Sequence, residues 1–255
     1  VVGTAIPIKG GFVFNEVSLN LGGKEILKKI TFEIAPGALV AVVGPAASGK
    51  TTLFKVLQGF IQPSSGSVLV DGRSLSSLDL ENYRSQVSLV HSNPSFFMGS
   101  IEENLRRARR NISERELNEA ISLSGLDKIL PDIEGGLSYK LDNATNSLPN
   151  SYRQIIAISR ALVNNSKVLL FDEVFSSLDK KIQVELLTNL RKLAKNKTLL
   201  LVTHDLRIAK ELDSILVMED GEIVGHGAHE ELIKNVPVYK NLWLLDNLSK
   251  VEEQR

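Results

Sequence analysis

A short apolar run that leads straight into a glycine-rich loop permits this chain few folds. Leu39–Val43 is entirely apolar and rich in valine, which predicts a strand buried on both faces, as in a parallel sheet. The residues that follow, Gly44-Pro45-Ala46-Ala47-Ser48-Gly49-Lys50-Thr51, match the pattern G-x-x-x-x-G-K-[ST] in full. Apolar residues then recur at helical spacing from Thr51 to Phe60, which predicts a helix there.

This order of strand, loop and helix predicts that the loop binds phosphate groups. Successive backbone N–H groups and the N-terminus of the helix form a cradle for anionic oxygens. In such a loop Lys50 reaches the β- and γ-phosphates, and the Thr51 hydroxyl holds Mg²⁺. A chance match is the alternative, and the flanking strand and helix argue against it. The predicted cofactor-binding residues of the loop are Gly44, Pro45, Ala46, Ala47, Ser48, Gly49, Lys50, Thr51 and Thr52.

Two further apolar strands end in residues that suit the same chemistry. Val168–Phe171 leads into Asp172, predicted to hold Mg²⁺ through water, and Glu173, predicted to polarise the attacking water. In the alternative interpretation both acids cap the next helix, which the phosphate loop disfavours. Thr198–Val202 is followed by His204, which is expected at the ligand-binding edge of the sheet, although a lone histidine is more often structural.

The wider pattern predicts an α/β domain. Strands alternate with helices, which is typical of a parallel sheet with right-handed crossovers. Ahead of this sheet, Phe12–Leu21 and Ile26–Ile34 predict two more strands, and Gly22-Gly23 predicts the turn between them.

The middle and the end of the chain predict a helical region and a hairpin. Residues 95–165 predict mostly helices and loops, and Ser113 with Glu116 predicts a capping box at one helix start. A helix is predicted from Lys180 to Ala194. Asp220-Gly221 predicts a tight hairpin turn, because both residues suit the positive φ of a type I′ turn.

Composition narrows the function classes. The 255 residues carry 30 basic and 30 acidic side chains, and this zero net charge argues against a nucleic-acid partner. The sequence has no cysteine, which excludes disulfides and thiolate chemistry and fits a reducing compartment. No run reaches the roughly 18 apolar residues of a membrane span. The chain begins with Val1 rather than Met, so we expect the working protein to be longer.

Taken in order, these motifs resemble the nucleotide-binding domain of ABC transporters over nearly the whole chain. The phosphate loop, Leu169-Leu170-Phe171-Asp172-Glu173, Ser176-Ser177-Leu178-Asp179 and Thr203-His204-Asp205 follow one another as they do in that family. Ile158–Glu173 and Asp220–Leu232 are most similar to the exporter branch, which includes type I secretion systems.

The resemblance implies a fold and partners. The fold is a P-loop NTPase (RecA-like) α/β core with a parallel sheet, an N-terminal antiparallel β subdomain and a helical insertion subdomain. One cassette over 1–255 is implied, with the nucleotide-binding core in 1–90 and 160–255, the helical subdomain in 91–159, and a membrane domain upstream. Two cassettes are implied to pair head to tail around ATP and Mg²⁺, attached to transmembrane domains at the cytoplasmic side of the cell membrane.

The resemblance also implies roles for single residues. Glu173 is implied to be the catalytic carboxylate, His204 to contact the γ-phosphate, and Asp179 to shape the contact between cassettes. The implied catalytic residues are Lys50, Glu173 and His204, and the implied metal ligands are Thr51, Asp172 and His91.

The chain departs most from the family at the signature motif. The family has Leu-Ser-Gly-Gly-Gln where this chain has Leu148-Pro149-Asn150-Ser151-Tyr152. The family's serine and glycine amides meet the partner's γ-phosphate at a helix N-terminus, whereas Pro149 has neither an N–H nor a hydroxyl. Asn150 and Ser151 add Cβ atoms where glycine allows close approach, although their side chains offer donors. We expect a weakened partner-phosphate site; the alternative is a motif reused simply as a helix start.

Three further positions depart from the family. His91 replaces the Q-loop glutamine that senses Mg²⁺ and the attacking water, and a neutral imidazole still ligates a metal or holds a water. Leu21 replaces the aromatic residue that stacks on adenine, which leaves only an apolar contact. Ala47 replaces a glycine, and if φ is positive there it costs about 1 kcal/mol or distorts the cradle.

In the implied pair each ATP lies between the phosphate loop of one cassette and the signature of the other, and the main departure falls on the signature side. Three hypotheses follow. In the first, the chain is the ATPase motor of an exporter of peptide, protein, lipid or drug-like substrates, preferably within a heterodimer in which it completes one competent site. In the second, it is a regulatory subunit that binds nucleotide with little or no hydrolysis. The third, a soluble ATPase acting on nucleic acid or ribosomes, is disfavoured because the chain has one cassette and no sustained heptads.

Overall fold

The computed structural model describes residues 5–142, 148–193 and 196–252. The strands are β1 (Phe12–Leu21), β2 (Lys24–Ile34), β3 (Leu39–Val43), β4 (Ser65–Val70), β5 (Arg73–Ser74), β6 (Val87–His91), β7 (Gly99–Ser100), β8 (Lys140–Leu141), β9 (Val168–Asp172), β10 (Thr198–Val202), β11 (Ser214–Glu219) and β12 (Glu222–Gly227). The α-helices are α1 (Lys50–Leu57), α2 (Leu80–Ser85), α3 (Ile101–Ala108), α4 (Glu114–Ser124), α5 (Leu126–Ile129), α6 (Asn150–Val163), α7 (Lys180–Leu193), α8 (Leu206–Ala209), α9 (His229–Asn235) and α10 (Pro237–Glu252).

A six-stranded sheet with the order β12-β11-β3-β10-β9-β6 lies at the centre of the fold. Strands β11, β3, β10, β9 and β6 run parallel, and β12 returns antiparallel to β11. Every residue of β3, β9 and β10 is buried, as expected for strands covered on both faces. The predicted parallel α/β sheet is confirmed.

The register of the parallel strands brings their carboxyl ends to one edge of the sheet. Val202 of β10 pairs with Val42 of β3 on one side and with Asp172 of β9 on the other. Asp172 also pairs with His91 of β6. The loops that follow these four strands therefore begin side by side, at the edge where open α/β sheets bind ligands.

Alternate residues of the central strands face two separate cores. Ala41, Phe171 and Leu201 face the side covered by α3, α4, α6 and α7. Val42 and Leu170 face the other side, where α1 and the antiparallel sheet pack. Each fully buried aliphatic side chain contributes about 1.5–3 kcal/mol relative to an exposed one, so both layers hold the central strands in register.

The antiparallel sheet has the order β2-β1-β4-β5. Phe14 of β1 and Phe32 of β2 stack in its core with ring centroids 4.5 Å apart. The turn between β1 and β2 falls at Gly22-Gly23, and both residues have left-handed φ angles, of 57° and 80°. The predicted N-terminal antiparallel subdomain is confirmed.

Helices dominate the region between β6 and β9. Ser113 and Glu116 form a capping box at the start of α4, as predicted, and Ser100 and Glu103 form a second one at the start of α3. Gly125 ends α4 with a φ of 80°, which is the left-handed conformation that a helix terminus requires. Helix α6 packs against both α3 and α4.

The described parts of helices α1 and α7 both stop before the predicted C-terminal residue. Helix α1 ends at Leu57 rather than at Phe60, because Gly59 turns the chain with a φ of 69° and Phe60 is 61% exposed. The apolar spacing therefore extends to Phe60, three residues beyond the end of the helix. Helix α7 is described as far as Leu193, and residue 194, the predicted end, lies outside the described residues.

The hairpin between β11 and β12 forms at Asp220-Gly221 as predicted. Both residues have positive φ angles, of 46° and 83°, which a type I′ turn requires. Within the described ranges, no helix combines the length and the apolar character needed to cross a membrane.

The buried hydroxyl of Thr198 joins the N-terminal segment to the start of β10, and it yields a test of the fold. It donates to the Gly10 carbonyl at 2.8 Å and accepts from the Gly37 N–H at 2.9 Å. Thr198→Val keeps the shape but leaves both backbone groups without this partner, so we expect the free energy of unfolding to fall by about 2 kcal/mol in urea denaturation. Thr31→Val, at an exposed hydroxyl, is the matched control and should change stability by less than about 0.5 kcal/mol. Equal losses in the two variants would contradict this account.

Candidate functional site

The phosphate loop lies between β3 and α1 and is shaped by close backbone approaches. A Cβ on Gly44 would lie 2.1 Å from the Met218 carbonyl oxygen of β11, so no side chain fits there. Gly49 has a φ of 102° and directly precedes α1. The Gly221 N–H donates to the Ser48 carbonyl at 3.2 Å, so the β11–β12 turn supports the loop from behind. The loop is thus built as a cradle of backbone groups at a helix N-terminus.

Lys50 places its ammonium group inside this loop. Its Nζ donates to the carbonyl oxygens of Gly44 at 2.9 Å and Pro45 at 2.7 Å, and lies 3.3 Å from the Ser48 hydroxyl. Burial lowers the pKa of Lys50 from its usual value, while the charges of Glu173 and Asp172 oppose that shift. A buried cation close to two carboxylates and held by loop carbonyls is well placed to meet a phosphate.

Asp172, at the end of β9, gathers the predicted metal ligands. The Thr51 hydroxyl donates to Asp172 Oδ2 at 3.3 Å, and His91 Nδ1 lies 3.8 Å from the same oxygen. Burial raises the pKa of the Asp172 carboxyl, and the nearby His91 partly offsets this effect. The structure therefore brings the other two predicted metal ligands, Thr51 and His91, to the Asp172 carboxylate.

The donor set suits Mg²⁺ held jointly with phosphate. Within residues 5–142, 148–193 and 196–252, no three His, Asp or Glu side chains gather as an all-protein metal cage. Mg²⁺ usually binds through one or two protein oxygens together with substrate phosphates and water. The Thr51 hydroxyl and the Asp172 carboxylate beside the phosphate loop fit that arrangement.

Glu173 and His204 form a pair at the same edge of the sheet. His204 Nε2 lies 2.7 Å from Glu173 Oε1, and both side chains are substantially exposed. Glu173 adopts a left-handed φ of 56° and donates its N–H to the Val202 carbonyl at 3.0 Å. Its side chain makes no capping bond to the turn that follows, so the alternative of a helix-capping acid does not hold for Glu173. The carboxylate is turned towards the histidine instead.

Asp179 caps a helix in this chain. Its Oδ1 accepts from the Ile182 N–H at 2.9 Å, and its carbonyl accepts from the Gln183 N–H at 2.9 Å. These bonds fix the first turn of α7. The predicted role of Asp179 in a contact between cassettes remains a prediction.

The signature residues form the start of α6. Pro149 has an extended ψ of 148° and directly precedes the helix, and its carbonyl accepts from the N–H groups of Tyr152 at 3.0 Å and Arg153 at 3.1 Å. The Tyr152 hydroxyl donates to Asp132 Oδ2 at 3.0 Å, and this bond raises the pKa of Tyr152. Leu148 packs partly buried against the core. The segment therefore forms a helix start in this chain. Its predicted contact with a partner's phosphate remains a prediction.

Leu21 is the last residue of β1, in the antiparallel sheet. It is 43% exposed and pairs with Lys24 across the hairpin. An aliphatic side chain thus stands where the resemblance predicts the contact to the base, and that contact remains a prediction.

Side chains of α6 hold the loop that begins at His91, and the sequence pattern did not reveal them. The buried Gln154 donates through Nε2 to the carbonyl of His91 at 3.0 Å and also to that of Ser92. Arg153 donates to the Pro94 carbonyl at 2.9 Å, and Arg160 to the Ser95 carbonyl at 3.0 Å. Gln154 lies at a core-facing position of an amphipathic helix, so only the fold identifies its partners. The start of α6 and the loop after β6 are therefore joined.

Ala47 has a positive φ of 60°, which is the condition under which the sequence predicts strain at this position. An L-residue in the left-handed region is strained, whereas glycine is not. We expect Ala47→Gly to raise the free energy of unfolding by about 0.5–1 kcal/mol in urea denaturation, since relief of strain exceeds the added freedom of the unfolded chain. Ala46→Gly, one residue earlier and outside the positive-φ region, is the matched control and should lower stability. Destabilisation by both changes would show that Ala47 is unstrained.

Comparison with known proteins agrees with this geometry. The profile of a family described as ABC transporter matches residues 27–176. The leukotoxin translocation ATP-binding protein LktB of Mannheimia glucosida is 35% identical over 230 residues, which are 89% of this chain and 32% of that protein. ABC transporter B family member 14 of Arabidopsis thaliana is 33% identical over 239 residues, which are 92% of this chain and 19% of that protein.

A solved structure shares the fold. The structure of a bacterial Atm1-family ABC exporter with ATP bound superposes with a TM-score of 0.91 at 27% identity, over 96% of this chain and 44% of that one. The chain spans about a third of the length of the LktB proteins that it matches. The matched profile, the relatives and the shared fold agree, and the chain belongs to the ABC transporter family.

Proposed function

We propose that this chain is the ATP-binding and ATP-hydrolysing cassette that powers export by an ABC transporter. The observation that carries the proposal is the Glu173–His204 pair at 2.7 Å, on the same sheet edge as the Thr51–Asp172 contact and the phosphate loop. Phosphoryl transfer to water uses an anion cradle, a metal-binding carboxylate and a group that positions the water, and residues suited to these tasks lie together at this edge. LktB and the B family member carry ATP-binding or ABC transporter names, which supports the same assignment.

The residues have distinct tasks in this proposal. The backbone of 44–51 and the Lys50 ammonium hold the triphosphate of ATP. Thr51, and Asp172 through water, would hold Mg²⁺, which would neutralise phosphate charge. Glu173 polarises the attacking water. His204 orients Glu173 and contacts the γ-phosphate, and electrostatic stabilisation of this kind is usually the largest contribution to such catalysis.

The signature residues point to a pair of unequal cassettes. Pro149 offers no N–H at the start of α6, and Asn150 and Ser151 carry side chains where the family has glycine. In a head-to-tail pair of identical chains both sites would carry this altered segment. We therefore favour a heterodimer in which this chain gives Lys50, Glu173 and His204 to a site closed by a partner's intact signature. Its own signature would close a second, slower site.

An exposed apolar pair supports attachment to a membrane domain. Phe97 is 56% exposed and Met98 is 79% exposed, and they are the last two residues of the loop between β6 and β7. Large exposed apolar side chains mark contact surfaces. A transmembrane domain seated there would place this cassette on the cytoplasmic side of the membrane and would reach the site through that loop.

The second candidate function is a regulatory subunit that binds nucleotide with little or no hydrolysis. The altered signature favours it, as do His91, Leu21 and the strained Ala47. It predicts that substitution of Glu173 leaves turnover unchanged, whereas the motor predicts a large loss.

Glu173→Gln separates these two functions. The amide cannot accept the proton of the attacking water, so we expect hydrolysis by the cassette with its partner to fall about 100-fold or more while ATP binding persists. Steady-state phosphate release and equilibrium binding of ATP measure the two quantities. An ATP-bound dimer should also accumulate in size-exclusion chromatography. Glu222→Gln, at an exposed position of β12, is the control. Unchanged turnover in Glu173→Gln would favour the regulatory subunit.

Restoring the signature tests the unequal pair. The purified chain alone should hydrolyse ATP slowly, because both sites of a homodimer contain Pro149–Tyr152. The combined changes Pro149→Ser, Asn150→Gly, Ser151→Gly and Tyr152→Gln should raise its turnover about tenfold or more, since they return donors to the phosphate site. Adding Glu173→Gln should abolish that gain. Tight ATP-driven homodimerisation with rapid turnover in the unaltered chain would contradict the heterodimer.

A further inference from the structure

His204 lies between two anchor points of the backbone. Before it, the Thr203 N–H donates to the Val42 carbonyl of β3 at 3.3 Å. After it, the Leu206 N–H donates to Oδ2 of Asp246, on α10, at 3.2 Å. The first anchor ties the segment to the strand that carries the phosphate loop, and the second ties it to the C-terminal helix. The two bonds hold the backbone on either side of His204.

The segment behind His204 has little order of its own. Helix α8 is four residues long, a single turn, and so short a helix is marginal without tertiary contacts. Its first two amides are both accepted by carboxylates: the Arg207 N–H by Asp205 at 3.0 Å and the Leu206 N–H by Asp246. Asp205 is local and moves with the turn. The apolar side chains of the turn pack into the core: Leu206, Ile208 and Ala209. Asp246 comes from another element and adds a polar anchor at the end of the turn next to His204.

Helix α10 offers a firm support for that carboxylate. Tyr239 is fully buried, and its hydroxyl lies 2.7 Å from His229 Nδ1 of α9. The rings of His229 and Trp243 lie 4.5 Å apart, and Lys210 Nζ lies 5.9 Å from the Trp243 ring. Asp246 follows Trp243 by one helical turn and so lies on the same face. This cluster packs the part of α10 that carries Asp246 against α9 and Lys210.

We propose that Asp246 is a positioning residue for hydrolysis: it holds the Leu206 amide so that His204 stays against Glu173. The inference rests on the proposed function, in which that pair acts on ATP. Asp246 touches no reacting group in this account. It makes the C-terminal helix a structural requirement for turnover, and not for nucleotide binding.

Hydrogen exchange tests the anchor itself. In Asp246→Ala we expect amide exchange in residues 203–209 to rise about tenfold, because the Leu206 N–H loses its acceptor. Asp246→Asn should exchange as the unaltered chain does, since its amide oxygen still accepts. Asn241→Ala, at an exposed position of the same helix, is the matched control. Unchanged exchange in Asp246→Ala would overturn the proposal whether or not the chain hydrolyses ATP.

Kinetics test the consequence in the cassette with its partner. We expect Asp246→Ala to lower kcat about threefold to tenfold with KM for MgATP unchanged, and Asp246→Asn to restore kcat. In a His204→Ala background Asp246→Ala should cause no further loss, because both changes remove the same contribution.

Three other kinetic outcomes would be decisive. Unchanged kcat in Asp246→Ala, or a full additional loss in the His204→Ala background, would overturn the positioning role. If His204→Ala alone has the same turnover as the unaltered chain, the proposed function is refuted. The exchange experiment would still decide whether Asp246 anchors the segment.

Discussion

The register of the parallel strands is the constraint on which the candidate site depends. Asp172 is paired with Val202 on one side and with His91 on the other, at the last residue of β9. A slip of one residue would turn Asp172 to the opposite face of the sheet and move it away from Thr51. The four apolar residues before it oppose such a slip, because each is buried and a shifted strand would bring a carboxylate into the core. Packing of the strands therefore fixes the chemistry at their ends.

Two residues at the same edge adopt strained backbone conformations. Ala47 and Glu173 both adopt left-handed φ angles, of 60° and 56°, which cost about 1–2 kcal/mol each for residues with a Cβ. Strain of this kind persists only where the surrounding structure determines the conformation. Around Ala47 the fixed elements are the Gly44 approach to Met218 and the support from Gly221. At Glu173 it is the bond to the Val202 carbonyl, which turns the carboxylate towards His204.

Much of this arrangement follows from sequence pattern, and the reasons are local. The strands β1, β3 and β10 begin and end at the predicted residues because apolar runs and glycine turns bound them. The Ser113 capping box and the Asp220-Gly221 turn are short-range signals with one physical solution each. The end of α1 differs from the prediction, because Phe60 continues the apolar spacing while Gly59 turns the chain after Leu57.

Contacts between distant segments lie beyond such patterns. Gln154 occupies a helix position whose periodicity indicates only burial, and its bonds to the loop after β6 depend on how α6 packs. Asp246 is one acid among several near the C-terminus, and nothing in its neighbours indicates the Leu206 amide 40 residues earlier. The Glu173–His204 pair required the register of β9 against β10. Motifs therefore identify which residues meet a ligand, whereas the fold identifies which residues hold them in place.

Under the proposed function the two halves of the chain contribute unequally. The half around Lys50 and Asp172 is preformed: its charges are partly buried, bonded and aligned before any partner is present. The half around Pro149 is a helix start whose Tyr152 is bonded to Asp132 within the same chain. Preformed polar groups stabilise developing charge without reorganisation, whereas the altered signature lacks an N–H at Pro149 and must use side chains in place of backbone donors. Gln154, two residues beyond Tyr152, also holds the loop at His91, so hydrogen bonds join the helix that follows the signature to the loop after β6. In the proposed heterodimer, a partner whose signature is intact would complete the half that already has its chemistry in place.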